Sequence, residues 1–463
     1  MEQLSAFDAG FLEAEDSDPH VSLAVGGVSI VEGRAPGYDE LVSAFAERIQ
    51  AIPRCRQLLR TFPLDLRPPE WVDDPHFDLA NHVHRCALPD PGGDTELFEL
   101  IANLMEHRLD RERPLWDCWI IEGLTANRWA VLVKVHHCVA DGIATMQMLS
   151  EFSDGGGGRT FATDIRAAKK RPQRPTLNPV TYVGRMLGSA MAAGQAGLGM
   201  TELAASLLSF PPKTSLNGPV TRRRRFSAAR VRLADMHEVA QVFGVTLNDV
   251  ALTAITASYR KLLLDRGESP SHDSLRTMVP VSVRAATESH VTDNQVSTML
   301  PLLPVDEPDL VQQLRAVHDR LGRAKASGQS EGGSVAVSAL KSVPFAVSAW
   351  TIRLLMRLPQ RAVVALATNV PGPRDQQTLM GQRVLEILPI PPIALRLRTG
   401  IAMLSYADTF AFGITADFGS APDIGALAAG IEDGVAQLLA AARQQRRGRK
   451  SSPRRPRATR RTG

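Results

Sequence analysis

The stretch VLVKVHHCVADGIATMQML, residues 131–149, decides how the chain is read. Trp129, Val131, Val133 and Val135 fall on one face of an extended segment and Ala130, Leu132 and Lys134 on the other, which predicts a largely buried strand. Carrying the period forward sends His136 and His137 to opposite faces, so only one ring meets a given cavity. Asp141 and Gly142 then supply a turn signal, and Ile143 begins a helical pattern. A histidine at a strand end beside a turn is well placed as a general base, provided that one ring nitrogen is held so that the other accepts a proton. A lone buried histidine is usually a satisfied core residue, but two in a row followed by an aspartate–glycine pair are much less common by chance. Cys138 offers a thiol, yet no separate His and Asn or Asp arrangement marks it as activated, and packing is the favoured reading.

Working outward, 463 residues are too many for one ordinary core and predict about two domains. Hydrophobic residues at 44% and charged residues at 22% match the usage of a folded globular chain. Cys55, Cys86, Cys118 and Cys138 show no CxxC spacing, which argues against a zinc site or a disulfide framework and fits a reducing compartment. The opening MEQLSAFDAGFLEAEDSD carries acids where a signal peptide would carry a basic end, so export by that route is not expected. The net charge of +4 hides an asymmetry, because ten Lys or Arg and no acid fall at 443–463 and leave the rest acidic. That tail lacks apolar periodicity and reads as disordered: a solubilising extension, or a contact for nucleic acid or for anionic lipid, the last at roughly 1 kcal/mol per basic side chain near the surface. Basic residues are not interleaved with aromatics, so no specific nucleic-acid reading is indicated.

HVSLAVGGVSIVEG alternates like a strand, while YDELVSAFAERIQAIP and TELFELIANLMEHRLD have helical spacing. A Gly, Pro and basic linker follows Phe152. The small apolar run at 183–210 is interrupted by Arg185, Gln195 and Glu202, which makes it a poor membrane span and a better interfacial helix. In DIGALAAGIEDGVAQLLAAARQQ, Ile424, Leu427, Ile431 and Leu438 recur at helical spacing and should face a core. The expected divisions are 1–152, a linker at 153–221, a second domain at 222–445 and a basic tail at 446–463.

HHCVADG matches the HHxxxDG signature of the coenzyme A-dependent acyltransferase superfamily, which includes chloramphenicol acetyltransferase and peptide-synthetase condensation domains. LSAFDAGFLEAE, DPHFDLANHV, RPLWDCWIIEGL, TLNDVALTAI, MVPVSVR, DNQVSTMLPLLPVDEPD, ATNVPGPR and GIAMLSYADTFAFGITAD then resemble, in order, successive blocks of the bacterial wax ester synthase/diacylglycerol acyltransferase family. The resemblance spans about 4–445. It implies an α/β fold of two chloramphenicol acetyltransferase-like domains, each a mixed sheet flanked by helices, with an active-site tunnel between them. It further implies a long-chain acyl-CoA as donor and diacylglycerol or a fatty alcohol as acceptor, with no cofactor, no metal and no covalent acyl-enzyme.

By the same resemblance His137 is the base and His136 its support. Asp141 matches a structural aspartate, with Arg284 of PVSVR as candidate partner, and Gly142 permits the turn. Pro114, Leu115 and Trp116 match a PLW block suited to an acyl chain, although core packing explains them as well. Asn248 and Asp249 match a block that shapes the tunnel or supplies a donor, and a helix N-cap explains them nearly as well. Residues 327–343 depart from the family pattern, which leaves the choice of alcohol open. A carrier-protein-dependent condensation enzyme and a weakly catalytic lipid-surface protein remain as alternatives. The substrates imply peripheral attachment to the cytoplasmic face of a membrane or to lipid droplets, with VPFAVSAWTIRLLMRLP as a candidate interfacial helix and core burial as its rival. Oligomeric state is not legible.

Overall fold

Buried β-branched runs build two sheets, and short helices cover them. The computed structural model describes residues 2–50, 52–62, 67–140, 145, 152–154, 213–282, 296–326 and 363–451. The first half runs α1 (Ala6–Ser17), β1 (Ala24–Glu32), α2 (Tyr38–Ile49), β2 (Gln57–Arg60), β3 (Glu70–Asp73), β4 (Val83–Ala87), α3 (Asp94–Glu106), β5 (Trp116–Leu124) and β6 (Arg128–His136). The second runs β7 (Arg224–Arg232), α4 (Leu233–Phe243), α5 (Leu247–Asp265), β8 (Thr277–Ser282), β9 (Val296–Met299), α6 (Leu310–Ala326), β10 (Ala365–Pro371), β11 (Thr378–Leu379), β12 (Gln382–Ile390), β13 (Thr399–Tyr406), β14 (Thr409–Asp417) and α7 (Ile424–Ser451). The strand expected through Val135, the helices expected from YDELVSAF and TELFELIANL, and the C-terminal helix all form, and the last runs on to Ser451, into the start of the tail expected to be disordered.

Among the described residues the two large sheets have six strands each, of mixed direction, and β2 and β3 pair in a separate antiparallel ribbon. The first is ordered β11-β12-β1-β6-β5-β4, with only β4 and β5 parallel. The second is ordered β7-β14-β13-β10-β8-β9, with β10 parallel to β13 and to β8. Thus β11 and β12, which belong to the second half by sequence, complete the first sheet. Among the described strands, the others of the two large sheets keep to the sheet of their own half. Gly413 on β14 is needed here, because a Cβ at that position would overlap the Pro389 carbonyl of β12. Arg230 of β7 adds ion pairs to Glu386 of β12 (2.5 Å) and to Asp94 of α3 (2.7 Å).

Leu97, Ile101 and Met105 bury the apolar stripe of α3. Lys134 of β6, fully buried, donates to the Leu104 carbonyl at the C-terminal end of α3 at 2.7 Å and also to the His107 carbonyl. A cation there meets the negative end of the helix dipole, and burial still pulls its pKa down to about 8. By length and composition α7 passes for a membrane span over Ile424–Gly448, which the sequence reading did not anticipate. Its Leu427, Ile431 and Leu438 are instead buried in the second core. Gly430 and Gly434 bring its backbone against Ser258 and Ala254 of α5. Most of the linker, the run at 183–210, residues 327–343, the candidate interfacial helix at 343–359 and the end of the tail lie outside the described residues.

Candidate active site

Two peptide hydrogen bonds fix the end of β6. The His136 amide donates to the Leu115 carbonyl at 3.0 Å, and the His137 amide donates to the Leu23 carbonyl at 3.0 Å. Neighbouring histidines are therefore pinned to different flanking segments, as the alternation requires.

His136 is 1% exposed. Its Nδ1 accepts from the Cys138 amide at 3.2 Å and lies 3.0 Å from Cys138 Sγ, so the ring proton belongs on Nε2. Nε2 faces Glu15 Oε2 of α1 at 3.5 Å, an electrostatic contact rather than a well-formed hydrogen bond. Glu15, also 1% exposed, accepts from the Leu23 amide at 3.0 Å and from Arg111 at 3.0 Å. Burial alone would raise its pKa, but His136, the Leu23 amide and Arg111 hold the carboxyl down to about 2. Arg111 also pairs with Asp16 at 2.8 Å. Arg108 donates to the Val21 and Asp18 carbonyls at 2.9 and 2.6 Å, and to the Glu15 carbonyl. Two arginines three residues apart thus lash α1 to the segment that follows α3.

His137 stacks on Phe11 of α1, with ring centroids 4.1 Å apart and planes at 10°. Phe11 packs on an apolar cluster in which Ala14, Val21 and Leu23 of the first half meet Val220, Ile393 and Ala394 of the second. The ring is half-buried at the junction of the two halves. Burial pushes its pKa down to about 4, a hydrogen bond with its own backbone opposes this, and His136 adds to the fall. Near neutral pH this is an uncharged imidazole.

The other expected site residues are distributed unevenly. Trp116 is buried, donates from Nε1 to the Cys55 carbonyl at 2.8 Å and stacks on His82 at 4.7 Å, while Pro114 and Leu115 are buried beside it. Trp116 is thus packed within the first core. Thr246 caps α5, and Asp249 answers by accepting from the Thr246 amide at 2.8 Å and from His318 at 2.8 Å, which commits its carboxylate to the helix start. Asn248 accepts from Asn369 of β10 at 3.4 Å. Cys138 is buried and its thiol is pushed well above the ordinary range by that burial, which disfavours the thiolate. Asp141, Gly142 and Arg284 lie outside the described residues. Sequence reasoning missed Phe11, Glu15, Arg108 and Arg111. The available signal was an acid on the core-facing side of α1, one turn after an aromatic.

A neutral histidine thus stands at the end of a buried strand, where two strand-exchanging mixed sheets meet. The first condensation domain of the CDA synthetase shares the fold, with a TM-score of 0.62 at 14% identity over 94% of this chain and 95% of that one. The Marinobacter aquaeolei VT8 wax ester synthase/diacylglycerol acyltransferase superposes with a TM-score of 0.69 at 24% identity, covering 96% of this chain and 100% of that one. Residues 4–251 match the wax ester synthase/diacylglycerol acyltransferase catalytic domain and 292–439 match the WS/DGAT C-terminal domain. The chain is 51% identical over 454 residues to a probable diacylglycerol O-acyltransferase, tgs1, of Mycobacterium tuberculosis, covering 96% of this chain and 97% of the relative. A second, putative diacylglycerol O-acyltransferase of that organism is 45% identical, with 95% and 91% covered. The chain belongs to the wax ester synthase/diacylglycerol acyltransferase family and is an acyltransferase.

Proposed function

We propose that this enzyme moves a long-chain acyl group from acyl-CoA to the hydroxyl of diacylglycerol, or of a long-chain alcohol, with His137 as general base. The observation that carries the reading is the uncharged His137 ring, stacked on Phe11 at the junction of the halves. A ring nitrogen of His137 takes the hydroxyl proton as the oxygen attacks the thioester carbonyl, and the tetrahedral intermediate then expels the coenzyme A thiolate, which receives that proton. Direct transfer accounts for every atom without an acyl-enzyme, and the raised thiol of Cys138 supports that route. The residues in place supply the proton acceptor themselves, so the reading calls on no metal or cofactor. The names of the mycobacterial relatives support diacylglycerol as acceptor.

Such substrates place the enzyme at the cytoplasmic face of the inner membrane or on lipid droplets, as a peripheral protein. The exposed basic end of α7 is suited to anionic lipid: Arg443 and Arg446 pair with Glu238 at 3.2 and 3.1 Å, and more arginines follow. Co-sedimentation of the full chain and of a version ending at Gln445 with anionic vesicles tests this, since equal binding of both removes the tail from the account. For the chemistry, palmitoyl-CoA is offered with diacylglycerol, hexadecanol or short alcohols, and free thiol is followed. Acceptor-dependent release is expected. Release independent of acceptor, or activity only with a carrier-protein thioester, overturns the reading.

A further inference from the structure

Phe11 and Glu15 stand one helical turn apart on α1 and address the two motif histidines in turn: Phe11 stacks on His137, and Glu15 faces His136. A second connection runs through one peptide group. The Leu23 amide donates to Glu15 Oε1 at 3.0 Å, while the Leu23 carbonyl accepts from the His137 amide at 3.0 Å. Glu15 therefore touches His136 by its side chain and is joined to the His137 backbone through Leu23. Arg111 neutralises it, and Arg108 fixes the end of its helix.

We propose that Glu15 is a positioning residue for acyl transfer, setting the Nε2-protonated orientation of His136 and, through Leu23, the place from which His137 meets the acceptor hydroxyl. This rests on His137 being the base. A buried, ionised carboxylate is a costly group for holding a helix to a strand, which an apolar side chain would do with less desolvation. Its geometry is instead directed at the two histidines. Displacing a base by about 1 Å lowers turnover by as much as 10²-fold, while binding of the substrates is untouched.

The test compares wild type, Glu15→Gln, Glu15→Asp, His136→Gln, the Glu15→Gln/His136→Gln double variant and His137→Ala, using full-length protein with palmitoyl-CoA and diacylglycerol. Glu15→Gln keeps the acceptor for Leu23 and removes the charge. We expect its kcat to fall at least tenfold with KM for palmitoyl-CoA within twofold, a split that mere loss of folded protein does not produce. We expect the double variant to be no slower than the slower single variant, because both changes act through one ring. A folded Glu15→Gln enzyme with wild-type kcat, or multiplicative losses in the double variant, overturns the proposal. If Glu15→Gln does not fold, Glu15→Asp decides: a several-fold drop in kcat at unchanged KM is expected, and full kcat overturns it. Activity retained in His137→Ala would instead sink the base assignment, so the two failures are distinguishable.

Discussion

The same architectural position is used in opposite ways in the two sheets. In the first, a parallel pair (β4, β5) leads into the β5–β6 hairpin, which β1 flanks; in the second, β10 and β13 lead into the β13–β14 hairpin, which β7 flanks. The end of β6 carries His136 and His137. The end of β14 carries Asp417, 1% exposed, which accepts from the Thr221 amide (2.6 Å) and hydroxyl (2.7 Å) and from the Ser420 amide (2.9 Å) and hydroxyl (2.7 Å). Burial would raise the Asp417 pKa, but those hydrogen bonds hold it below the usual carboxylate range. Four donors saturate the Asp417 carboxylate, so it serves the fold, whereas the end of β6 carries the ring proposed above for the chemistry. The Asp417 end also supports the β6 end. Buried Arg224, attracted by Asp417, donates to the His20 carbonyl at 2.6 Å, three residues before Leu23.

That contrast breaks if the two ends prove interchangeable in their effects. The largest expected effect is in His137→Ala, where steady-state assays should show kcat lowered by roughly 10²–10⁴-fold with a near-normal thermal melt. Asp417→Asn should do the reverse. Losing the charge that faces Arg224 should lower urea-derived stability by about 3 kcal/mol, while kcat per folded molecule stays within a few-fold. Unchanged stability with lost turnover would place Asp417 in the chemistry.

A smaller effect tests the burial of the base. The folded pKa of His137 is about 4 against an ordinary 6.5. Between those values the unfolded chain takes up a proton that the folded chain refuses, so this ring's contribution is complete above 6.5 and is lost as pH falls towards 4. Glu15 is depressed as well, from 4.5 to about 2, so its contribution holds above 4.5 and fades only below that. Urea midpoints at pH 7 and pH 5 should therefore drop less in His137→Ala than in wild type. Equal drops would mean that the ring is not buried as described. The smallest effect is expected in Cys138→Ser, with kcat within about twofold in the thiol-release assay, since the raised thiol is not a working nucleophile.

What was legible in the sequence was local. Alternation along β6, the stripes of α2, α3 and α7 and the two histidines on opposite sides all follow from periods of two and 3.6, which need no knowledge of partners. What was not legible depends on meetings across the chain. Glu15 reads as one acid among several in FLEAEDSD, and besides the nearby Leu23 amide it is Arg111 and His136, each about a hundred residues away in sequence, that make its burial tolerable. The sequence offers Asp249 as a tunnel group or, nearly as well, a helix cap, and the reciprocal pair with Thr246 appears only in the fold. Nor does the sequence show that the Cys55 carbonyl accepts from the Trp116 indole. The placement of β12 was hidden for the same reason, since its alternation says that it is a strand and nothing about which sheet receives it.

That exchanged strand has a consequence for synthesis. Along its whole length β1 pairs with β6 on one side, and from Gly26 to Val31 it pairs with β12 on the other. On the ribosome, β1 and β6 are available early, but β12 ends at Ile390 and emerges only after most of the chain has been made. Until then the strand next to His136 and His137 is an unpaired, apolar edge, of the kind that recruits neighbouring chains. The nascent enzyme thus passes through a period in which its first sheet is open, and any fragment that stops at the linker should stay in that state. Expression of residues 1–222 alone should give insoluble protein, and supplying 223–463 as a separate chain should restore solubility by donating the missing strand.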